Sequence, residues 1–107
     1  MTTPADIFAR TAENLLPEKA KDVSAAVAFD LSGPEGGQWT VKIDHGTATV
    51  EEGIADGADA TISMDGNDYV DMMTGKLNPM MAFMGGKVKV SGDLNTVMKF
   101  QTMFKSG

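Results

Sequence analysis

Between Val27 and Val50 the side chains change character with almost every residue, and this two-residue period constrains the fold more than any other feature of the chain. Val27, Phe29 and Leu31 alternate with Ala28 and Asp30; Trp39, Val41 and Ile43 alternate with Thr40 and Lys42; Ala48 and Val50 share one face of a third run. Successive side chains of a strand point to opposite faces, so each run predicts a half-buried strand. The polar turn SGPEGG joins the first two and DHG joins the second to the third, which predicts an antiparallel meander. The acidic, glycine-rich EEGIADGAD, too irregular for a helix, then leads to a fourth strand with Ala60, Ile62 and Met64 on one face. Lys87-Val88-Lys89-Val90 predicts a fifth, its valines inward and its lysines on an edge or a solvated face.

Helices must cover the apolar side of such a sheet. TPADIFARTAENLL carries Pro4 and Asp6 in a first turn and Ile7, Phe8, Ala12, Leu15 and Leu16 on a helical stripe ending at Pro17, and PEKAKDV adds a short turn. Asp65 caps the helix that GNDYVDMMTGKL suggests, with Tyr69, Val70, Met72 and Met73 on its apolar side and Gly75 as its stop; Asn78-Pro79 opens a short helix from Met80 to Met84, closed by Gly85-Gly86. Asp93 caps a last helix whose Leu94, Val97, Met98, Phe100, Met103 and Phe104 cover more than the usual arc of about 100°, more than one packing partner could bury. The order is helix, three strands, crossover, strand, two helices, strand, helix, an α+β arrangement. Its 107 residues predict a single domain over 1–107.

Several function classes fall away on composition. Nine Lys and Arg stand against fifteen Asp and Glu, a net charge of −6 with no basic cluster, so nucleic acid is not an expected partner. Cysteine is absent, which removes disulfides, thiolate metal sites and a cysteine nucleophile. The first residues lack a signal-peptide pattern and no apolar run reaches membrane-span length, so a soluble, cytoplasmic protein is expected.

Catalytic patterns are equally thin. The single histidine, His45, lies in the DHG turn with no second imidazole to share a metal, and none of Ser24, Ser32, Ser63 and Ser91 has a nucleophile-elbow context. SGPEGG and MGGKVKVSG lack the Gly-Lys-Ser/Thr ending of a phosphate loop, and DGNDYVD lacks the glutamate that closes a Ca²⁺ loop. Neither a catalytic site nor a cofactor is expected.

Six of the nine methionines, Met64, Met72, Met73, Met80, Met81 and Met84, fall from the fourth strand to the Gly85-Gly86 pair. Methionine fills irregular space and repacks around guests of different shape. Two readings follow, a methionine-rich core and a yielding cavity wall. An empty apolar cavity of about 300 Å³ would cost roughly 7 kcal/mol at about 24 cal/mol per Å³, against a total stability of about 5–15 kcal/mol. A domain of this size keeps a hollow only if flexible side chains or a guest fill it.

DATISM, DYVDMMTGKLNPMMAF, GGKVKVSGD and MKFQ follow one another in an order and spacing that resembles the sterol carrier protein type two (SCP-2) lipid-transfer domain family. The resemblance is specific from Asp59 to Phe104 and looser before it. It implies a five-stranded, mostly antiparallel sheet covered on one face by helices and enclosing a hydrophobic tunnel. It also implies a non-enzymatic carrier for a fatty acid, fatty acyl-CoA, sterol or phospholipid, with transient membrane contact. Carried over residue by residue, the tunnel lining comprises Met80, Phe83 and Met84, the fourth-strand residues Ile62 and Met64, and Val97, Phe100 and Phe104 of the last helix. Trp39, Met72 and Met73 complete the expected set. Gln101 matches the family's closing-helix glutamine and is either a hydrogen-bonding partner for a lipid polar group or an ordinary flank position. Unlike animal members, the chain has neither a longer C-terminal tail nor a peroxisomal ending, which is expected to leave one tunnel mouth more open. The alternative is a protein-interaction module that kept the fold and packed its tunnel solid.

Overall fold

The computed structural model describes residues 3–34 and 36–104, and of Gln101 the backbone only. Five strands form one sheet: β1 (Ser24–Ser32), β2 (Gly37–Asp44), β3 (Thr47–Glu52), β4 (Ala60–Asp65) and β5 (Lys89–Gly92), in the order β3-β2-β1-β4-β5. β1, β2 and β3 make the expected antiparallel meander. β4 returns beside β1 and runs parallel to it, and β5 pairs antiparallel with β4. The sheet is therefore mixed, because the crossover carries the chain from the β3 edge past β2 and β1 before β4 begins.

Register gathers the apolar side. Val27 stands opposite Val41 and Ala60, Phe29 opposite Trp39 and Ile62, Leu31 opposite Met64, and Val90 opposite Ile62. On this face lie α1 (Pro4–Thr11), α3 (Gly66–Met73) and α5 (Leu94–Thr102), with a short α2 (Pro17–Ala20) near the β2–β3 turn at Gly46. α4 (Pro79–Met84) connects α3 towards β5.

Local chemistry sets the helix starts as the sequence indicates. Thr3 and Asp6 form a reciprocal capping box with Pro4 at the first position of α1. Asp65 accepts from the backbone N–H groups of Asn67 (2.8 Å) and Asp68 (3.3 Å), and Asn78 accepts from those of Met80 (2.9 Å) and Met81 (3.2 Å). Asp93 accepts from the Asn95 N–H at 3.0 Å. In the DHG turn His45 and Gly46 both have positive φ, 46° and 90°, the left-handed pair that a two-residue hairpin requires.

Three expectations are corrected. The first helix does not run to Leu16: α1 ends at Thr11, a 3-10 turn spans Ala12–Asn14, and Leu15 is extended, forming a β-bridge with Phe104. The Leu16 N–H donates to Met103 O at 2.7 Å, so a long-range pairing with the far end of the chain overrides the helical stripe. β5 starts at Lys89 rather than Lys87, because the Lys87 N–H is committed to Ala82 O at the end of α4 (2.9 Å). Thr40, read as a residue of the solvated face, is completely buried together with Ala28. Residues 53–59 cover that face: the Thr40 hydroxyl donates to Gly53 O (2.7 Å) and accepts from the Ala55 N–H (2.9 Å). Asp59 ties down the end of the segment, accepting from the Ala26 N–H at 2.8 Å and donating its own N–H to Ala26 O at 2.8 Å.

Candidate functional site

The helix-covered face is occupied by aromatic rings in contact. Phe8 of α1 stacks on Trp39 (centroids 4.7 Å apart) and on Tyr69 of α3 (5.1 Å), and meets Phe29 edge-on at 5.2 Å. Phe29 lies 5.9 Å from Phe100 of α5, which lies 4.8 Å from Phe104. A continuous run of rings thus crosses the sheet from β2 to the last helix. Offset and tilted pairs of this kind add about 0.5–1.5 kcal/mol each to the burial itself. Gly37 makes the β2 end feasible, since a Cβ there would stand 2.5 Å from the Trp39 ring.

At that end lies an open groove of about 360 Å³ between α1 and the β2–β3 edge. Ala5, Ala9 and Ala12 form one side, Phe8, Trp39 and Val50 its floor, and Glu52 is its one charged group among the described residues. Ala5 and Ala9 of α1 and Ala12 of the 3-10 turn share one exposed side, and their short side chains leave the space beside Phe8 and Trp39 open. A second hollow of about 280 Å³, lined by Ser32, Ser63, Met64, Asp65, Lys87 and Lys89, is polar by comparison.

The expected lining residues divide into three groups. Trp39 borders the groove. Ile62, Met64, Val97 and Phe100 are buried against the sheet, with Met72 and Phe104 half-buried beside them. Met73, Met80, Phe83 and Met84 face solvent; of α4 only Ala82 is buried, and Met84 is 79% exposed. The structure does not gather all of them around one hollow. α5 buries Val97 and Phe100 and leaves Leu94 and Met98, one turn apart, exposed, as its wide apolar arc implies. The Gln101 side chain lies outside the described residues.

Sequence reading missed the groove. Its signal was present, in Ala5, Ala9 and Ala12 around Phe8, but small residues on a helix read as filler until the sheet beneath them is known.

Little chemistry surrounds these surfaces. His45 sits exposed at its hairpin tip, its Nδ1 hydrogen-bonded to Asp44 Oδ1, remote in role from the ring cluster. Among the described residues no group of three or more His, Asp or Glu side chains could hold a metal. Burial pushes the Tyr69 phenol above its ordinary pKa, so it stays protonated within the aromatic run. Among the described residues, what the face offers a guest is apolar contact.

The chain matches the SCP-2 sterol transfer family over residues 5–105. It is 36% identical over 102 residues to hydroxysteroid dehydrogenase-like protein 2 of Xenopus tropicalis, a match that covers 94% of this chain and 24% of that protein. The chain therefore spans about a quarter of the length of the curated relatives it matches. Among solved structures it resembles the sec-alkylsulfatase Pisa1 from Pseudomonas sp. with a TM-score of 0.84 and 21% identity, over 99% of this chain and 17% of that one. It also resembles palmitated SCP2L2 from Aedes aegypti, with a TM-score of 0.75 and 21% identity, over 95% of this chain and 91% of that one. At these identities the two structures show the fold alone.

Proposed function

Because the chain belongs to the SCP-2 sterol transfer family, whose members are lipid-binding domains, we propose that it is a non-enzymatic carrier that holds a long-chain fatty acyl or sterol-like lipid against the helix-covered face of its sheet. No bond of the lipid changes in this role.

The observation that carries the reading is the apolar groove beside Phe8 and Trp39, whose floor is the first pair of the aromatic run. Its 360 Å³ lies near the small end of ligand sites, enough for part of a lipid. The remainder of the guest needs side chains to give way. Phe100 and Phe104, packed in one cluster with Ile62, Met64 and Val97, form the path it would take. Met72, Met73, Met80, Phe83 and Met84 form the yielding border, and Gln101 is the polar partner we assign to the lipid's head.

Energetics permit this exchange. Burying a sixteen-carbon chain yields about 13 kcal/mol gross at roughly 0.8 kcal/mol per CH₂, while association and ordering remove about 4–15 kcal/mol. The palmitated Aedes protein supports a fatty acyl guest. The occurrence of the same fold within a dehydrogenase-like protein and a sulfatase supports delivery of the lipid to an enzyme.

Denaturing mass spectrometry of the purified protein, with fluorescent fatty-acid titration, tests the proposal. We expect saturable binding, weakened at least tenfold by Ala9→Trp, which fills the groove from its open side. Absence of both co-purifying lipid and saturable binding would refute it. A protein-interaction module with a filled interior is the second reading, favoured by the close ring packing; a co-purifying protein without lipid would establish it.

A further inference from the structure

The carrier reading does not say where the protein meets a membrane, and the distribution of charge does. Residues 1–71 hold fourteen acidic and four basic side chains, a formal charge of −10, whereas residues 72–107 hold one acidic and five basic, a charge of +4, together making the −6 of the whole. Asymmetry between the two parts of a chain is itself a mark of surface association. Among the described residues the positive part also holds most of the exposed large apolar side chains, Ile54 being the exception in the acidic part. Met80, Met81, Phe83 and Met84 of α4 and Leu94 and Met98 of α5 all face solvent. Lys76 precedes α4 in the chain and Lys87 and Lys89 follow it; all three are exposed and form no ion pair among the described residues, and Lys87 and Lys89 line the second hollow, whose one acidic member among those residues is Asp65.

We propose that α4 and its three flanking lysines form a docking face for an anionic lipid bilayer. Charge complementarity selects the bilayer, and the acidic remainder of the molecule is repelled by the same surface, so approach with α4 foremost is favoured over other orientations. The shape of α4 fits a fluid layer better than a protein groove. Its four exposed apolar side chains spread over about 160° of the helix at 3.6 residues per turn, whereas a groove takes the narrower stripe of positions three and four apart. Unbranched thioethers enter the acyl boundary easily, while the lysine stems let their ammonium groups stay at the head groups. The inference is compatible with the carrier reading but does not depend on an interior guest.

Co-sedimentation of the full chain with phosphatidylcholine vesicles, with and without phosphatidylserine, tests it. We expect binding to the phosphatidylserine vesicles that is released by high salt. Replacing Lys76, Lys87 and Lys89 together by Gln should weaken it about a hundredfold, at about fivefold per lysine. Met80, Met81 and Met84 changed together to Ser should weaken it at least tenfold, while Lys19→Gln, in the acidic part of the chain, should leave it within about twofold. Fatty-acid titration of the lysine variant without vesicles should match the parent, so failure to dock and failure to carry lipid are read separately. Equal binding to both vesicles, no binding, an equal loss with Lys19→Gln, or salt-sensitive self-association in place of vesicle binding would each overturn the proposal.

Discussion

Replacing Thr40 with Val should destabilise the protein by about 2–4 kcal/mol without altering the lipid affinity of the folded molecule. The side chain is completely buried, and its hydroxyl serves two backbone groups at once, the carbonyl of Gly53 and the N–H of Ala55. Valine keeps the shape and removes both partners. Each stranded backbone group costs about 1–3 kcal/mol, about 4 kcal/mol for the two at the middle of that range, and the more apolar methyl offsets about 1 kcal/mol, which leaves a value near about 3 kcal/mol. At about 4–8 °C per kcal/mol for a domain near this size, the melting temperature should fall by about 8–32 °C. Thr40→Ser is the control: it retains the hydroxyl and loses one methyl, a cost of about 1 kcal/mol. Calorimetry and urea unfolding of the three proteins, followed by fatty-acid titration at low temperature, supply the comparison. Because residues 53–59 lie across the face opposite the helices, affinity should be unchanged. A valine variant as stable as the serine one would refute the role given to the hydroxyl.

Phe83→Trp and Met84→Trp should each stay within about 0.5 kcal/mol of the parent in urea unfolding, because both side chains are exposed, while reducing fatty-acid uptake if α4 borders the path of the guest. Asp65→Ala should cost about 0.5–2 kcal/mol by leaving the Asn67 and Asp68 N–H groups uncapped, measured by thermal melting. Tyr69 provides a pH test: burial raises its folded pKa above the ordinary value near 10, so its contribution is intact below pH 10 and declines as pH rises above it. The single tyrosine should therefore ionise, by ultraviolet absorbance, only together with the loss of circular dichroism. Ionisation near pH 10 in a folded protein would contradict its burial.

Local signals proved dependable where one short stretch contains both partners of an interaction. Asp65, Asn78 and Asp93 cap the helices expected of them, and His45-Gly46 makes the hairpin, because each bond closes within a few residues. Alternation likewise assigned Val27, Phe29 and Leu31, and Ala60, Ile62 and Met64, to the buried side. It failed at Thr40 and Ala28, since a two-residue period says which residues share a face and not what else lies on that face. The pairing of Leu15 with Phe104 joins residues that no local pattern relates.

The site divides in the same way. Sequence by itself determined the strands, the caps, the concentration of methionine after the fourth strand and the charge split at Met72, because these are properties of neighbours along the chain. Tertiary structure alone decided that Phe8 would meet Trp39, Phe29 and Tyr69, that three alanines would leave a groove above them, and that α4 would turn its methionines outward. Those outcomes depend on how far each helix stands from the sheet and which way it is rolled. Such distances are fixed by the packing of side chains remote in sequence, a balance struck only when the whole chain is assembled.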